Sequence, residues 1–301
     1  MSIEKTRFHI DFMGKSRLFI GVSLALIVLA LYAFIVKGMQ FGIDFAGGTE
    51  IHIAFKQATS SLEVRDLLSK AGFKDSVVQH FGEKQDNEFL IHLASSSGTM
   101  KSVSDEMIHV FETAKGKDTF EITKVDMVGP KVGSDLKKRG AWAMFYALLG
   151  ILIYVALRFD YRFSPGSVIA LIHDVIITLG IFILVGKKFD LTILAAVLTL
   201  VGYSVNDTIV VFDRIRENMQ SFEGLEIKQL INRSINETLS RTLMTSFTTL
   251  LVVAALFVWG GEVIHDFAFT LLIGIIVGTY SSIFIASPVF LALYQRSQAK
   301  A

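Results

Sequence analysis

Six stretches of this chain are apolar and long enough to cross a hydrocarbon core of ~30 Å, which takes about 20 helical residues. They occupy residues 18–36, 141–157, 165–185, 191–212, 242–259 and 267–294, the last with length to spare for tilt. In lipid every backbone N–H and C=O must be satisfied within the protein, so such segments resolve to α-helices. The first stretch is flanked by Lys15, Arg17 and Lys37 and has no clear small-x-small cleavage site beyond a short core, so it reads as a retained anchor.

Composition agrees and removes several function classes. Hydrophobic residues make up 52% of the 301 residues and charged residues 19%, below the roughly 25% usual for globular proteins. A net charge of +1 provides no basic field to hold a polyanion, so nucleic acid is not expected as a partner. Cysteine is absent, which excludes disulfides, thiol catalysis and Cys-ligated metal. The histidines, His173 and His265 among them, show no paired spacing such as H-E-x-x-H, so no metal site is expected.

Orientation follows from the short loops, because cytoplasmic loops carry excess Lys and Arg. Lys5, Arg7, Lys15 and Arg17 precede the first span, Arg158 and Arg162 follow the second, and Arg214, Arg216, Lys228 and Arg233 follow the fourth. Residues 1–17 and 295–301 are therefore expected in the cytoplasm, with spans at 18–37 and within 140–294. The long stretch 38–139 falls outside, since long domains translocate regardless of charge. Its pattern has the order β-α-β-β-α-β. Residues 49–55 alternate with Ile51, Ile53 and Phe55 inward, Ser60 and Glu63 offer a capping box, and a helix carries Leu62, Leu67 and Leu68. Strands at 77–81 and 88–93, a helix at 103–114 and a strand at 119–128 complete a small ferredoxin-like α+β sandwich.

The residues that could carry chemistry are the polar ones inside the spans, because each is costly there. Asp174 shares one small, polar face with Ser167, Ala170 and Thr178. It reads either as helix-association glue or as a proton or ion position. Ser204, Asn206, Asp207 and Thr208 interrupt the fourth apolar run and carry the same two readings. Arg241, at the cytoplasmic edge of the fifth span, is either an ordinary anchor or, at 1.5 Å per residue, level with Asp207. A carboxylate held by an arginine stays ionised and one parted from it takes up a proton more readily, so such a pair can act as a proton-controlled latch. Gly274, Gly278, Ser282 and Ala286 recur at every fourth position and read as a helix-packing stripe. Gly42, Asp44, Gly47 and Gly48, in Phe41-Gly-Ile-Asp-Phe-Ala-Gly-Gly-Thr49, lack the Lys-Ser or Lys-Thr ending of a phosphate loop and read as a tight junction between the first span and the first strand.

These motifs, together with Val128-Gly-Pro-Lys-Val-Gly133, Ser167-Val-Ile-Ala-Leu-Ile-His-Asp174, Gly202-Tyr-Ser-Val-Asn-Asp-Thr208, Asp213-Arg-Ile-Arg-Glu-Asn218 and Ser240-Arg-Thr-Leu-Met-Thr-Ser246, resemble the SecF family of bacterial protein-export subunits, distant relatives of the resistance–nodulation–division exporters. Ala46 stands where the family usually reads Thr. The resemblance covers nearly the whole chain. It implies a non-enzymatic, proton-driven helper of late, ATP-independent export in the bacterial inner membrane, with a periplasmic α+β domain. It also implies half of a pseudo-two-fold twelve-helix transporter completed by SecD, which docks with the SecYEG channel and often YajC and acts on the translocating preprotein. On this resemblance Asp207 takes the place of the family's transmembrane acid, Arg241 that of its arginine, and Asp174 and Asn206 are additional relay positions. No cofactor is implied beyond protons as the coupling ion, with sodium as the alternative. Rival readings are a lipid or small-molecule exporter of the same superfamily and a structural scaffold for the channel. An intramembrane aspartyl protease lacks its Gly-x-Gly-Asp element here.

Overall fold

The computed structural model describes residues 9–73, 76–81, 87–93, 100–159, 162–222 and 224–299. Lys5 and Arg7, used above for orientation, lie outside the described residues. The chain folds as two compact units: residues 1–40, 142–188 and 192–301 form one, and residues 41–141 with 189–191 form the other.

The first unit is helical. Among the described residues six helices are long and apolar enough to cross a membrane. They are α1 (Phe12–Val36), α5 (Pro130–Arg158), α6 (Ser164–Leu184), α7 (Leu191–Ser221), α8 (Ile227–Trp259) and α9 (Glu262–Ser281), which runs on through a π-helical turn (Ser282–Ala286) into α10 (Ser287–Gln298). Several outrun the apolar stretches because charged and polar residues extend the same hydrogen-bond ladder past the hydrocarbon. Thus α1 begins at Phe12 on an Asp11 cap, whose carboxylate accepts from Gly14 N at 2.7 Å.

Pro130 and Pro165 stand where a helix loses no backbone bond, in the first turns of α5 and α6, whereas Pro288 sits inside the continuous helix made by α9 and α10. Pro288 accounts for the π turn. It offers no N–H to the turn behind it, and the ladder resets there, with Ser287 donating its hydroxyl to the Ser282 carbonyl at 3.1 Å.

Small residues set the closest helix approaches, as expected where lipid supplies no hydrophobic drive. A Cβ on Gly180 of α6 would fall 2.2 Å from Ala30 Cβ of α1, and one on Gly166 would fall 2.9 Å from the Ala286 carbonyl oxygen. Beside them Phe163 stacks on Phe290 with centroids 4.1 Å apart, and Phe212 meets Phe163 edge-on at 5.0 Å. The helices α5 and α8 leave broad apolar faces uncovered, including Trp142, Phe145, Tyr146, Phe247, Leu251 and Trp259.

The second unit holds a one-turn helix α2 (Ile43–Ala46) and then β1 (Gly48–Phe55), α3 (Ser61–Lys70), β2 (Val77–Phe81), β3 (Glu88–Leu93), α4 (Met100–Lys115) and β4 (Phe120–Val128). The sheet is antiparallel in the order β2-β3-β1-β4, the ferredoxin-like arrangement. Ile51, Ile53 and Phe55 of β1 pack against Val64 and Leu68 of α3 and Val103, Met107 and Phe111 of α4. Ser60 caps α3, accepting from Glu63 N at 3.2 Å. Leu62 departs from the sequence expectation: it is 75% exposed. It lies two residues before Val64, about 200° round the helix from the buried Val64–Leu68 face. Lys115 holds the Glu63 carboxyl below its ordinary value through a 2.6 Å contact.

Candidate polar site in the membrane helices

Among the described residues of the helical unit, Asp174 and Asp207 are buried carboxylates, and their surroundings differ. Asp174, on α6, is 1% exposed and ringed by polar contacts from α7, α9 and its own neighbour His173. Ser204 of α7 donates to Oδ2 at 2.5 Å and Ser281 of α9 donates to the same oxygen at 2.8 Å. His173 Nδ1 lies 2.8 Å from Oδ1, and His173 Nε2 reaches Ser23 of α1 at 3.0 Å. Ser167, Ala170 and Thr178 are all buried on the same helix.

The small-residue stripe makes this ring possible. A Cβ on Gly278 would fall 3.0 Å from both Cβ and Oγ of Ser204, and one on Gly274 would fall 2.5 Å from Leu200. Without side chains at those positions α9 lies close enough to α7 for Ser204 and Ser281 to share one oxygen. The stripe is not continuous, however. The π turn changes the rotation per residue beyond Ser282, so Ala286 faces Gly166 of α6 rather than following Gly274 and Gly278 onto α7. Ser282 is buried and donates to the Thr279 carbonyl at 2.9 Å.

Asp207, on α7, is 2% exposed and meets one hydroxyl, Ser246 of α8 at 3.3 Å, which in turn lies 2.7 Å from Thr279 of α9. Thr208 is buried beside it. Arg241 lies on α8 about one and a half turns before Ser246 and is exposed. Among the described residues no hydrogen bond or ion pair joins it to Asp207. Asn206 is exposed as well and enters neither polar group. The four polar residues at 204–208 thus split three ways: Ser204 toward Asp174, Asp207 and Thr208 inward, Asn206 outward.

At the end of the bundle that bears Arg214 and Arg233, Glu237 accepts from Arg214 Nε at 2.6 Å, Arg233 Nε at 2.8 Å and Asn218 Nδ2 at 2.8 Å. This cluster ties α7 to α8 and was not singled out from the sequence. Also missed was Ser23, a lone hydroxyl within an apolar run; Tyr280 and Ser246 lie in hydroxyl-rich runs, and Ser281, a hydroxyl beside the small-residue stripe, had no local link to Asp174. Among the described residues no group of three or more His, Cys, Asp or Glu is placed to hold a metal ion.

In the second unit Gly42, Asp44, Gly47 and Gly48 form a tight turn. Gly42 N donates to the Phe189 carbonyl at 2.9 Å, and Asp44 Oδ2 accepts from Leu191 N at 3.0 Å. Gly47 has φ +75°, and a Cβ there would fall 2.9 Å from Pro130 Cα. Both backbone conformation and space therefore require glycine.

Comparison with known proteins gives one answer. The family described as protein export membrane protein SecD/SecF, C-terminal, matches residues 109–296, and the SecD/SecF GG motif matches residues 32–59, which hold Gly47 and Gly48. The chain is 48% identical over 285 residues to the protein translocase subunit SecF of Desulfurispirillum indicum, covering 93% of this chain and 90% of that one. It is 45% identical to the protein translocase subunit SecF of Calditerrivibrio nitroreducens, covering 95% of each. The crystal structure of SecDF, a translocon-associated membrane protein from Thermus thermophilus, superposes with a TM-score of 0.87 at 38% identity. That match covers 98% of this chain but 40% of the longer one. A multi-pass helical membrane protein with a small antiparallel α+β domain, matched over nearly its whole length by SecF subunits, belongs to the SecF family of protein translocase subunits.

Proposed function

We propose that this chain is one half of a proton-driven export helper that acts with a SecD-like second half on preproteins at the outer face of the bacterial inner membrane. The observation that carries the reading is the environment of Asp207. It is a carboxylate buried in a membrane helix with one weak hydroxyl contact, while Asn206 and Arg241 are exposed and the Arg241 charge acts on the acid without a bond to it. An ionised acid is tolerable at such depth only beside a cation or water, so its protonation alters whatever Arg241 holds. The match to 40% of a fused SecDF chain supports a second half of comparable design against those exposed residues and the uncovered faces of α5 and α8.

In this reading both termini are cytoplasmic and residues 38–139 are periplasmic. The assembled pair docks with the SecYEG channel, with YajC as a further partner, and works after the ATP-driven motor. Protons are the coupling ion and sodium is the competing one. The charge difference it draws on is modest, about 2.3 kcal/mol per charge per 100 mV. Asp174 and Asn206 are assigned supporting relay positions.

Membrane vesicles carrying the assembled complex test this with an imposed pH gradient. Asp207→Asn, resembling a permanently protonated acid, is expected to assemble normally and lose gradient-dependent export, and Arg241→Met to fail in the same way. Near-normal gradient-dependent export by a correctly assembled Asp207→Asn complex sinks the mechanism and returns Arg241 to the role of an anchor.

A further inference from the structure

His173 and Asp174 stand side by side on α6, both buried, and their hydrogen bonds run outward in a line that ends on the backbone of α1. The end of the line is the Phe19 carbonyl oxygen, which can only accept. The Tyr280 hydroxyl lies 2.6 Å from it, so the one hydroxyl hydrogen of Tyr280 points at Phe19. The Tyr280 oxygen is left as an acceptor, and its 2.9 Å contact with Ser23 Oγ requires that Ser23 donate. The single hydrogen of Ser23 is then committed. Its 3.0 Å contact with His173 Nε2 in turn requires a hydrogen on Nε2.

The remaining contact is His173 Nδ1 to Asp174 Oδ1, at 2.8 Å. With Nε2 protonated it has two arrangements: a neutral imidazole accepting from a protonated carboxyl group, or an imidazolium donating to a carboxylate. Each holds one proton more than a neutral histidine beside a carboxylate. Oδ2 accepts from Ser204 and Ser281 in either case. The hydrogen-bond directions therefore count the protons on the pair, independently of where the shared one sits.

We propose that His173 and Asp174 together form a one-proton site, held in its loaded form here, whose occupancy is transmitted to α1 through Ser23, Tyr280 and the Phe19 carbonyl. As a site for the coupling ion it rests on the proton-driven reading above. Removing the proton leaves Nδ1–H donating to the carboxylate and Nε2 bare. Ser23 then turns its hydrogen to Nε2. Tyr280 can keep Phe19 or take Ser23, but not both, so one bond between α1 and α9 is lost on each cycle.

Among the described residues no other charged group bonds to the pair. The groups facing the pair are Ser23 and the Phe19 carbonyl from α1, Ser204 from α7, and Ser281 and Tyr280 from α9, and Tyr280 is the one further titratable group. The π turn that follows α9 contributes no ionisable side chain. Among the described residues no Lys, Arg or Glu hydrogen-bonds to any of these groups, and Asp207 bonds to Ser246 instead.

The test is ¹⁵N NMR of the full chain in lipid bilayers with labelled histidine, the His173 signals being identified by their loss in His173→Gln. The expected result is a hydrogen on Nε2 at neutral pH. Tyr280→Phe frees Ser23 to donate to Nε2 and should weaken proton affinity of the pair about tenfold, the scale of one hydrogen bond. Ser23→Ala acts differently, leaving Nε2–H buried without its acceptor, which costs more than a bare Nε2 when the ring is charged, and should lower the affinity in the same direction, which keeps the test open if one variant folds poorly. The pH profile of gradient-dependent export should move with the same sign in both. A bare Nε2 in the wild-type chain, or a His173 titration that neither variant moves, overturns the site. Asp207→Asn separates the two claims: export surviving in that variant, with the His173 titration as expected, overturns the Asp207 mechanism and leaves the one-proton site standing.

Discussion

Asp174 and Asp207 are both buried aspartates on consecutive membrane helices, yet one is enclosed and the other is open. Asp174 draws contacts from α1, α7 and α9 through His173, Ser23, Ser204 and Ser281, all inside this chain. Asp207 has Ser246 at 3.3 Å and an exposed arginine whose charge acts on it without a hydrogen bond or ion pair between them. A buried polar group left without partners costs about 1–3 kcal/mol, more when charged. The enclosed site can therefore be maintained by this chain alone, while the open one is suited to change partners. The difference separates two roles: Asp207, with Asn206 and Arg241 exposed beside it, is placed to exchange partners with a second half, whereas the His173–Asp174 site rearranges only among partners inside this chain.

The comparison predicts a hierarchy of effects. The largest is expected at the seam that carries the link from Asp174 to α1. Gly180→Leu has no room against Ala30, with a Cβ already at 2.2 Å, and should cost about 3 kcal/mol and sharply reduce folded yield. Near-normal thermal unfolding of that variant in detergent would show that packing of α1 on α6 does not support the Asp174 site.

Gly278→Leu comes next, at about 2 kcal/mol, because it drives into Ser204 and lifts it from Asp174. Ile276→Leu, at a position 59% exposed, should stay within about 0.5 kcal/mol. Equal unfolding temperatures for the two would remove the claim that α9 closes the Asp174 ring onto α7.

Single hydroxyl deletions sharpen the contrast itself. Ser204→Ala, losing a 2.5 Å bond to a buried acid, should destabilise by about 1–2 kcal/mol, and Ser246→Ala, with its 3.3 Å contact, by less than about 0.5 kcal/mol. A reversed order in thermal melts would mean that the open and enclosed assignments are exchanged.

The smallest effect lies at the cap of α1. The Gly14 N–H and the Asn232 amide hold the Asp11 carboxyl below its ordinary value. A group depressed on folding adds stability above its unfolded pKa and loses that contribution as pH falls through the folded value. Melting temperature should therefore drop on acidification slightly more in the parent chain than in Asp11→Ala. Parallel pH curves for the two would contradict the assignment of the cap.

Much of this was legible in the sequence because the deciding patterns are local. Apolar runs named the six spans, and two-residue alternation with the Ser60 cap named the α+β order. Leu62 was misplaced because a ten-residue helix admits more than one apolar stripe, and the sheet selects the one through Val64 and Leu68. The partners of Asp174 were not legible. Ser204 lies 30 residues away and Ser281 lies 107 away, and no local period links them. His173 was read as a failed metal motif because its role depends on Ser23, 150 positions distant. The stripe from Gly274 to Ala286 was visible as spacing, but its break needed Pro288 to be read as a cause of helix irregularity rather than as a helix start.

The central claim is that Asp207 and Arg241 work as one unit although no hydrogen bond or ion pair joins them among the described residues, and that Asp174 belongs to a separate site. A double-variant cycle measures it most directly, using gradient-dependent export by the assembled complex in vesicles with Asp207→Glu, Arg241→Lys and both, changes mild enough to leave a measurable rate. Residues acting as a unit are non-additive, so the double variant should export about as well as the worse single one. Effects that multiply, each substitution reducing export by its own factor in the presence of the other, would contradict the account.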